Sequence, residues 1–376
     1  MSDIFDGIFG QPRVREFLRA SIASGRVSHA YLFTGPAGSN KTAAAYAFAQ
    51  AILCKDHGGR TCDDCRRIER RKHPDVHFYT PEGAQGYLIE QIREIVSGVS
   101  LAPIRAKGKV YILDRVDLLG VSAANAFLKT LEEPVEGVTF ILLGRTREAV
   151  LPTIVSRCQV VPFRHIPARE AAGILSQKTG VTPEQARIAI EACNGSITRA
   201  MTFAKSAERA EFRARIMEVL SNLPLSDERD VLEYAAELIE RAKAPLDNVR
   251  TQQSEELAES ADFLTKTALK QIELRHKRAL SMATRESLNQ TTSIIRSWLR
   301  DVLMIASGTP DLIVNIDQRE VLQRVAQKVT PASIMSALRE AYKTDETLSY
   351  NVSPETCLDV LLFSIREVLN GSGNPH

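Results

Sequence analysis

The most constraining feature of the sequence is the stretch GPAGSNKT, residues 35–42, which follows the apolar run AYLFT and precedes an alanine-rich segment. It matches the phosphate-binding pattern G-x-x-x-x-G-K-[ST], except that Asn40 replaces the last glycine. An apolar run, a glycine-containing loop and a helix-forming segment in this order indicate a strand, a phosphate loop and a helix. The chain is therefore predicted to contain an α/β domain whose parallel sheet carries the loop at the carboxyl end of a strand.

The loop has a specific chemistry. Backbone N–H groups next to Gly35 and Gly38 would curl around phosphate oxygens, Lys41 would reach the terminal phosphates, and Thr42 would ligate Mg²⁺. Asparagine tolerates a left-handed backbone, so the loop shape can survive Asn40, but its side chain is expected to project where phosphate would lie. Two alternatives follow: the loop binds ATP or ADP with Mg²⁺, or it keeps its shape and stays empty.

A second apolar run, VYILDRVDLL, ends at the acidic residue that such sites use to hold Mg²⁺ through water, here Asp114. The next position, where a carboxylate would polarise the attacking water, is Arg115. An arginine cannot act as a general base because its pKa lies far above any working pH. Asp117 could replace the missing carboxylate only if the loop shifted. We therefore expect no nucleotide hydrolysis by this chain alone.

Short apolar runs alternate with segments of helical period over residues 1–165, which indicates a doubly wound parallel sheet. The expected strands are 30–34, 75–80, 110–114, 139–144 and 160–163. Three short helices are expected over 166–207, and nearly all of 208–376 has helical periodicity. The predicted fold class is α/β, with a phosphate-loop parallel sheet followed by a small helical domain and an all-α C-terminal domain.

Composition narrows the class of protein. No run of about 18 apolar residues occurs, and the N-terminus lacks a basic segment followed by an apolar stretch, so neither a membrane span nor a secretory signal is expected. A net charge of +2 is too balanced to indicate a nucleic-acid binder by itself. Basic residues crowd 60–72 and 266–285, a pattern that is typical of solvated helix faces. We expect a cytoplasmic protein.

Three of the six cysteines, Cys54, Cys62 and Cys65, lie close together. In a cytosolic chain such spacing indicates a metal before it indicates a disulfide. The C-x-x-C pair suits one tetrahedral Zn²⁺, and Cys54, at the end of the preceding helix, can fold back as the third ligand. The site is expected to be structural, because nothing near it suggests an open coordination position with a catalytic base.

Seven motifs together resemble the clamp-loader AAA+ subunits of bacterial DNA polymerase III. They are FGQPRVREFL, HAYLFTGPAG, HPDV, IEQIREI, VYILDRVDLL, NAFLKTLEEP and LPTIVSRC, whose order and spacing match over about 1–205. The stretches WLRDVLMIASGTPDLIVN and ETLSYNVSPETCLDVLL resemble, more weakly, the collar domain of the delta-prime type within this family. The resemblance implies an AAA+ domain at 1–165 with a zinc module at about 54–73, a helical lid at 166–207 and a collar domain at 208–376.

The resemblance also implies roles for single residues. Arg157, in the motif Ser-Arg-Cys, would be an arginine finger presented to ATP in the neighbouring subunit, where a planar cation stabilises charge on the phosphates. The family's sensor threonine falls on Gly144, with Thr146 close by, and its sensor-2 arginine falls on Thr198, with Arg199 beside it. Both departures further weaken hydrolysis by this chain.

The zinc module of this family carries four cysteines, whereas this chain has Gly59 where one of them is expected. His57, two residues away, would complete a Cys₃His site. His73 is a weaker candidate for the fourth ligand, and the loss of tight zinc binding is the third alternative.

The implied function is that of a delta-prime-type stator in a pentameric ring that helps to load the sliding clamp onto primed DNA. Its partners would be gamma/tau-type and delta-type subunits in a hetero-oligomer, with the clamp and primed DNA contacted through the complex and no membrane involved. Two other functions remain open. One is an ATP-hydrolysing gamma/tau-type subunit, against which Asn40, Arg115 and Thr198 speak, and the other is a self-standing zinc-containing nucleic-acid-binding protein.

Overall fold

The computed structural model describes residues 3–55, 62–83, 86–246, 250–251, 266–348 and 352–371. The chain divides into two compact units. The first consists of Met1–Lys178 with Gly195–Arg199, and the second of Thr179–Asn194 with Ala200–His376. The division into AAA+, lid and collar domains stays a prediction. Within the described ranges, no helix combines the length and the apolar character needed to cross a membrane.

The first unit is built on a five-stranded parallel sheet with the strand order β2-β3-β4-β1-β5. The strands are β1 (Ala30–Thr34), β2 (Val76–Tyr79), β3 (Lys109–Leu113), β4 (Val138–Gly144) and β5 (Gln159–Pro162). The ends of each strand lie within one residue of the apolar run that predicted it. The predicted α/β fold class, with a parallel sheet, is confirmed.

Helices of the first unit precede, connect and follow these strands. They are α1 (Pro12–Ala23), α2 (Lys41–Leu53), α3 (Asp63–Glu69), α4 (Ile89–Val99), α5 (Val121–Glu132), α6 (Pro152–Val155) and α7 (Ala168–Thr179). A 3-10 helix, Ile4–Gly7, precedes them. Each parallel connection therefore crosses from one strand to the next through helical structure, as parallel pairing requires.

Strands β1, β3 and β4 are buried along their whole length, because apolar clusters cover both faces of the sheet. On one face, Tyr31 and Phe33 of β1 share a cluster with Phe48 of α2. On the other face, Leu32 shares a cluster with Phe127 of α5. Side chains that alternate along β1 thus pack into the cores on both faces of the sheet. The phosphate loop follows the carboxyl end of this strand.

The second unit is helical. Its helices, together with the one at the boundary, are α8 (Pro183–Ala192), α9 (Ile197–Ala204), α10 (Ala207–Asn222), α11 (Glu228–Lys243), α12 (Lys266–Ala306), α13 (Arg319–Ala326), α14 (Pro331–Leu348) and α15 (Pro354–Leu369). The apolar face of α12 around Trp298 is buried, as the sequence period predicts. Asp301, also on α12, is fully buried and accepts hydrogen bonds from the backbone N–H groups of Val314 and Asn315.

Candidate functional site

The phosphate loop lies between β1 and α2 and has the backbone that its pattern predicts. Asn40 adopts φ 75° and ψ 18°, the left-handed conformation that the missing glycine would have supplied. Gly35 is required by close packing, because a Cβ there would lie 2.6 Å from the carbonyl oxygen of Phe163. The loop shape therefore survives the replacement of its last glycine.

The side chain of Asn40 is held by the protein on both sides. Its Nδ2 donates a hydrogen bond to the carbonyl oxygen of Gly7 at 3.1 Å, and its Oδ1 accepts one from Thr198 Oγ1 at 3.2 Å. The sequence predicted a side chain directed toward the phosphate position. The structure instead uses the amide to tie the loop to the N-terminal segment and to α9, because both of its polar ends find partners there.

Lys41 donates its hydrogen bonds to the loop itself. Its Nζ donates to the carbonyl oxygens of Gly35 and of Pro36, the latter at 2.8 Å, and lies 3.3 Å from Ser39 Oγ. Burial lowers the pKa of Lys41 to about 8, against the opposing effect of the carboxylates of Asp114 and Asp117. The ammonium that would bind phosphate is thus already satisfied by loop oxygens.

On the acidic side of the site, Arg115 occupies the position where the pattern expects the catalytic carboxylate. Loss of hydration raises the pKa of Asp114, although the Arg115 N–H and Lys41 favour its charged form. Arg115 adopts a left-handed backbone with φ 54°. The carboxylate of Asp117 accepts a hydrogen bond from the backbone N–H of Arg145 at 3.2 Å, so the residue that could have replaced the missing base is engaged.

The two sensor positions also lack the polar groups that the family pattern places there. Gly144 is the last residue of β4, and a Cβ at this position would lie 3.0 Å from Val150 Cγ2, inside an apolar contact. Thr198 donates its hydroxyl to Asn40. Neither position offers the threonine or the arginine that would sense a phosphate.

Gln11 is a buried residue of this site that the sequence analysis did not single out. Its Nε2 donates to the carbonyl oxygens of Ser39 and Arg164 at 3.1 and 2.8 Å, and its Oε1 accepts from the backbone N–H of Arg164 at 3.1 Å. It therefore fixes the loop to the segment that follows β5. The only available signal was its place in the motif FGQPRVREFL.

Arg157 lies just before β5 and is held against the end of α5. Its Nε and Nη2 both donate to Glu132 Oε1, the former at 2.9 Å, and its Nη1 donates to the carbonyl oxygen of Thr153 at 2.8 Å. The arginine side chain is 31% exposed and that of Glu132 is 48% exposed. The guanidinium is therefore accessible at the surface but restrained in orientation.

Three cysteine thiols come together beside α3. The Sγ atoms of Cys54, Cys62 and Cys65 all lie within 4.8 Å of one another, and those of Cys54 and Cys62 are 3.8 Å apart. Two thiolates bound at about 2.3 Å to one tetrahedral Zn²⁺ are about 3.8 Å apart, so this spacing fits the ion. Cys62 also caps α3, because its sulfur accepts a hydrogen bond from the N–H of Cys65. These three thiols can hold a metal.

The candidates for the fourth ligand differ in their placement. His57 lies outside the described residues. His73 is buried, its Nδ1 accepts a hydrogen bond from the N–H of Asp75, and its Nε2 lies 3.4 Å from Asp64 Oδ1. Among the described residues, the group that could hold a metal ion contains the three cysteines and not His73.

The sequence matches two family models of known proteins. Residues 10–167 match the family model described as DNA polymerase III, delta subunit. Residues 255–366 match the model described as DNA polymerase III, delta subunit, C terminal. The first match contains the phosphate loop, the cysteine group and Arg157.

Curated relatives agree with these matches. The chain is 34% identical over 212 residues to the DNA polymerase III subunit delta-prime of Bacillus subtilis, covering 56% of this chain and 64% of that protein. It is 36% identical over 177 residues to the subunit tau of the same organism, covering 46% and 31%. The matched region thus spans less than two thirds of the length of these relatives.

A solved structure of a DNA polymerase III gamma subunit-related protein from Thermotoga maritima is also similar. It is 18% identical with a TM-score of 0.43, covering 94% of this chain and 99% of that one.

Proposed function

We propose that this chain is a delta-prime-type clamp-loader subunit of the DNA polymerase III delta-subunit family, two of whose models together match more than half of its residues. It would act as a stator in a pentameric AAA+ ring with gamma/tau-type and delta-type subunits, in the cytoplasm. The ring would load the sliding clamp onto primed DNA. In this role the chain presents Arg157 to the ATP site of a neighbouring subunit and does not hydrolyse ATP itself.

The observation that carries the proposal is that side chains of the phosphate loop form hydrogen bonds with the protein itself. The donors of Lys41 are used by loop oxygens, and both ends of the Asn40 amide are used by Gly7 and Thr198. Arg115 stands where a base is needed, and Asp117 is bonded to the backbone of Arg145. Hydrolysis in this loop would require these contacts to break and would still lack a general base. An ATP or ADP molecule with Mg²⁺ would have to displace the same contacts.

Arg157 is the residue proposed to act on the neighbour. A planar guanidinium can neutralise charge that develops on transferring phosphate oxygens, which is the role of an arginine finger. Its surface exposure and its restraint by Glu132 suit a group that must meet a phosphate bound to another chain. Because restraint removes side-chain entropy before the encounter, less free energy is spent on orientation in the complex.

The cysteine group is proposed to hold a structural Zn²⁺, with His57 as the fourth ligand. Thiolates and imidazole are the ligands that zinc prefers, and a closed set of four leaves no position for a substrate. When bound, the ion would join the end of α2 to the start of α3.

Two measurements test the proposed function. Co-expression with a gamma/tau-type and a delta-type subunit should yield one complex that survives gel filtration, and the isolated chain should show no steady-state ATP turnover. A chain that stays outside the complex would refute the assignment as a clamp-loader subunit.

A gamma/tau-type ATPase is the second candidate, because the chain is 36% identical to a tau subunit over 177 residues. ATP turnover by the isolated chain that is abolished by Lys41→Ala would establish this candidate instead. The stator proposal predicts equal background rates for the wild-type chain and the variant.

A further inference from the structure

A dense group of cations covers α3 and the turn that follows it. Five of the seven residues from Arg66 to Lys72 are basic, and all five are exposed. We call them the α3 basic face; its members are Arg66, Arg67, Arg70, Arg71 and Lys72. Neither the proposed stator role nor the cysteine group uses these side chains.

Helix stabilisation does not account for so many cations. Basic residues near a helix C-terminus interact favourably with its partial negative charge, but that charge is about half an elementary charge and one or two cations offset it. Arg67 pairs with Asp63 at 2.9 Å in an i,i+4 arrangement. The side chains of Arg66, Arg70 and Lys72 make no hydrogen bond or ion pair with the residues that the structure describes.

The acidic residues nearby offset only part of the charge of the face: Asp63 pairs with Arg67, Glu69 lies within the segment, and another arginine engages Asp63 and Asp64 as well. Arg105, from the loop before β3, donates to Asp64 Oδ1 and to Asp63 Oδ2, both at 2.6 Å. Asp64 is also next to His73. Asp63 is therefore shared between Arg67 and Arg105, and the C-terminal end of the helix keeps an excess of positive charge.

The position of Arg71 points to a use for this charge. The helix ends in a Schellman motif, with hydrogen bonds from the N–H of Lys72 to the Arg67 carbonyl and from the N–H of Arg71 to the Ile68 carbonyl. This motif favours glycine at its left-handed residue, which here is Arg71 with φ 58°. Its guanidinium lies 5.1 Å from the centre of the Tyr46 ring, so the cation is held in place.

The composition of the face favours a nucleic acid over a protein partner. Protein interfaces have an apolar core from which charged residues are depleted. The apolar residues of α3, Cys65 and Ile68, are buried, so the face offers charge without an exposed apolar anchor. Interfaces with nucleic acids are polar and strongly positive, and arginine forks match phosphate oxygens.

We propose that the α3 basic face binds the phosphate backbone of DNA. Seven residues of helix and turn extend over about 10 Å at 1.5 Å per residue. One DNA strand carries a phosphate about every 3.4 Å along the axis, so the face matches about three phosphates. The contact is independent of base sequence, because it involves phosphates and not base edges.

The test measures the affinity of the full-length chain for a fluorescent DNA duplex, and for a single strand of equal length, as salt rises from about 50 to 200 mM. The variant Arg66→Gln/Arg70→Gln/Lys72→Gln removes three contacts. The slope of log affinity against log salt should become less steep by about 2.7 for duplex and about 2 for single strand. The control, Arg229→Gln/Arg324→Gln/Lys328→Gln, removes the same charges from exposed positions of the second unit and should leave the slope unchanged.

Three outcomes overturn the proposal. They are an unchanged slope in the first variant, an equal loss in the control, and equally tight binding of the wild-type chain to polyglutamate that DNA does not displace. The inference rests on the proposed function only for the choice of DNA as the probe. Co-purification of the same variant with the other subunits distinguishes a failure of this inference from a failure of the proposed function. A variant that joins the complex but shows an unchanged salt slope refutes the DNA contact alone.

Arg71→Gly gives an independent check. Glycine suits the left-handed position, so the variant should fold with little change in melting temperature. It should nevertheless weaken DNA binding, because one cation is lost. A purely structural Arg71 would leave DNA affinity unchanged in this variant, which would contradict the proposal.

Discussion

The amide of Asn40 and the hydroxyl of Thr198 form a hydrogen bond of 3.2 Å between residues 158 positions apart. Asn40 stands where the phosphate-loop pattern has its last glycine, and Thr198 stands where the clamp-loader resemblance places an arginine. The two departures from the pattern therefore meet in one contact. This contact joins the loop to α9 within the first unit.

The contact predicts a measurable coupling between the two residues. Thr198→Val keeps the side-chain shape, removes the hydroxyl and should lower the free energy of unfolding by about 0.5–1 kcal/mol. In a double-mutant cycle with Asn40→Gly, the two effects should be non-additive by about 0.5 kcal/mol. Urea unfolding supplies the values. Thr202→Val, an exposed threonine of the same helix, is the control, and a coupling energy of zero would contradict the contact.

Lys41 predicts a pH dependence of stability. Its pKa is lowered from the usual 10.5 to about 8 by burial, so the unfolded chain binds this proton more tightly than the folded one. Between these two values the unfolded state holds more protons, and the contribution of Lys41 to the free energy of unfolding therefore rises with pH, by an amount of order 1–3 kcal/mol. Urea unfolding of the wild type and of Lys41→Met from about pH 7 to 10 checks this. The variant lacks this rise, and identical pH profiles would disprove it.

The cysteine group predicts one bound Zn²⁺ per chain, measured by mass spectrometry of the native protein. Cys62→Ser should lose the metal and lower the melting temperature, while α3 keeps its cap because serine is a favoured N-cap residue. Cys158→Ala changes a cysteine outside the group and should retain the metal. Equal zinc content in both variants would exclude the cysteine group as the zinc site.

The ion pair of Glu132 with Arg157 predicts an effect on the ATP hydrolysis of the assembled complex as well as a small effect on stability. Both partners are partly exposed, so Glu132→Gln should change the free energy of unfolding by less than about 1 kcal/mol. Loss of the restraint on Arg157 should lower the ATP hydrolysis of the complex by about two- to fivefold. The ATP hydrolysis rate of the complex with Glu132→Asp should lie between the rates with the wild-type chain and with Glu132→Gln. A rate unaffected by Glu132→Gln would show that Arg157 needs no such restraint.

Local patterns predicted the sheet because its central strands β1, β3 and β4 lie in apolar runs, as strands buried on both faces require. AYLFT and VYILD are examples, and the left-handed conformation of Asn40 followed from the glycine position that it fills. The partners of side chains could not be predicted in the same way. Gln11 bonds to Arg164 across 153 positions, and no local signal specifies such a contact.

The region around the cysteine group shows the same difference between local and long-range contacts. The spacing of Cys54, Cys62 and Cys65 predicted their convergence, because a short loop can bring them together without help from the rest of the chain. The ion pairs of Arg105 with Asp63 and Asp64 join segments about 40 residues apart and depend on the finished sheet.

The most direct test of the central claim is the DNA-stimulated ATP hydrolysis of the complex reconstituted with two variants of this chain. Arg157→Ala should abolish the contribution of the neighbouring site, because an arginine finger is worth about 10³-fold or more there. Lys41→Ala should leave the rate of the complex unchanged, since the proposal assigns no hydrolysis to this loop. A rate lowered by Lys41→Ala and unaffected by Arg157→Ala would contradict the account.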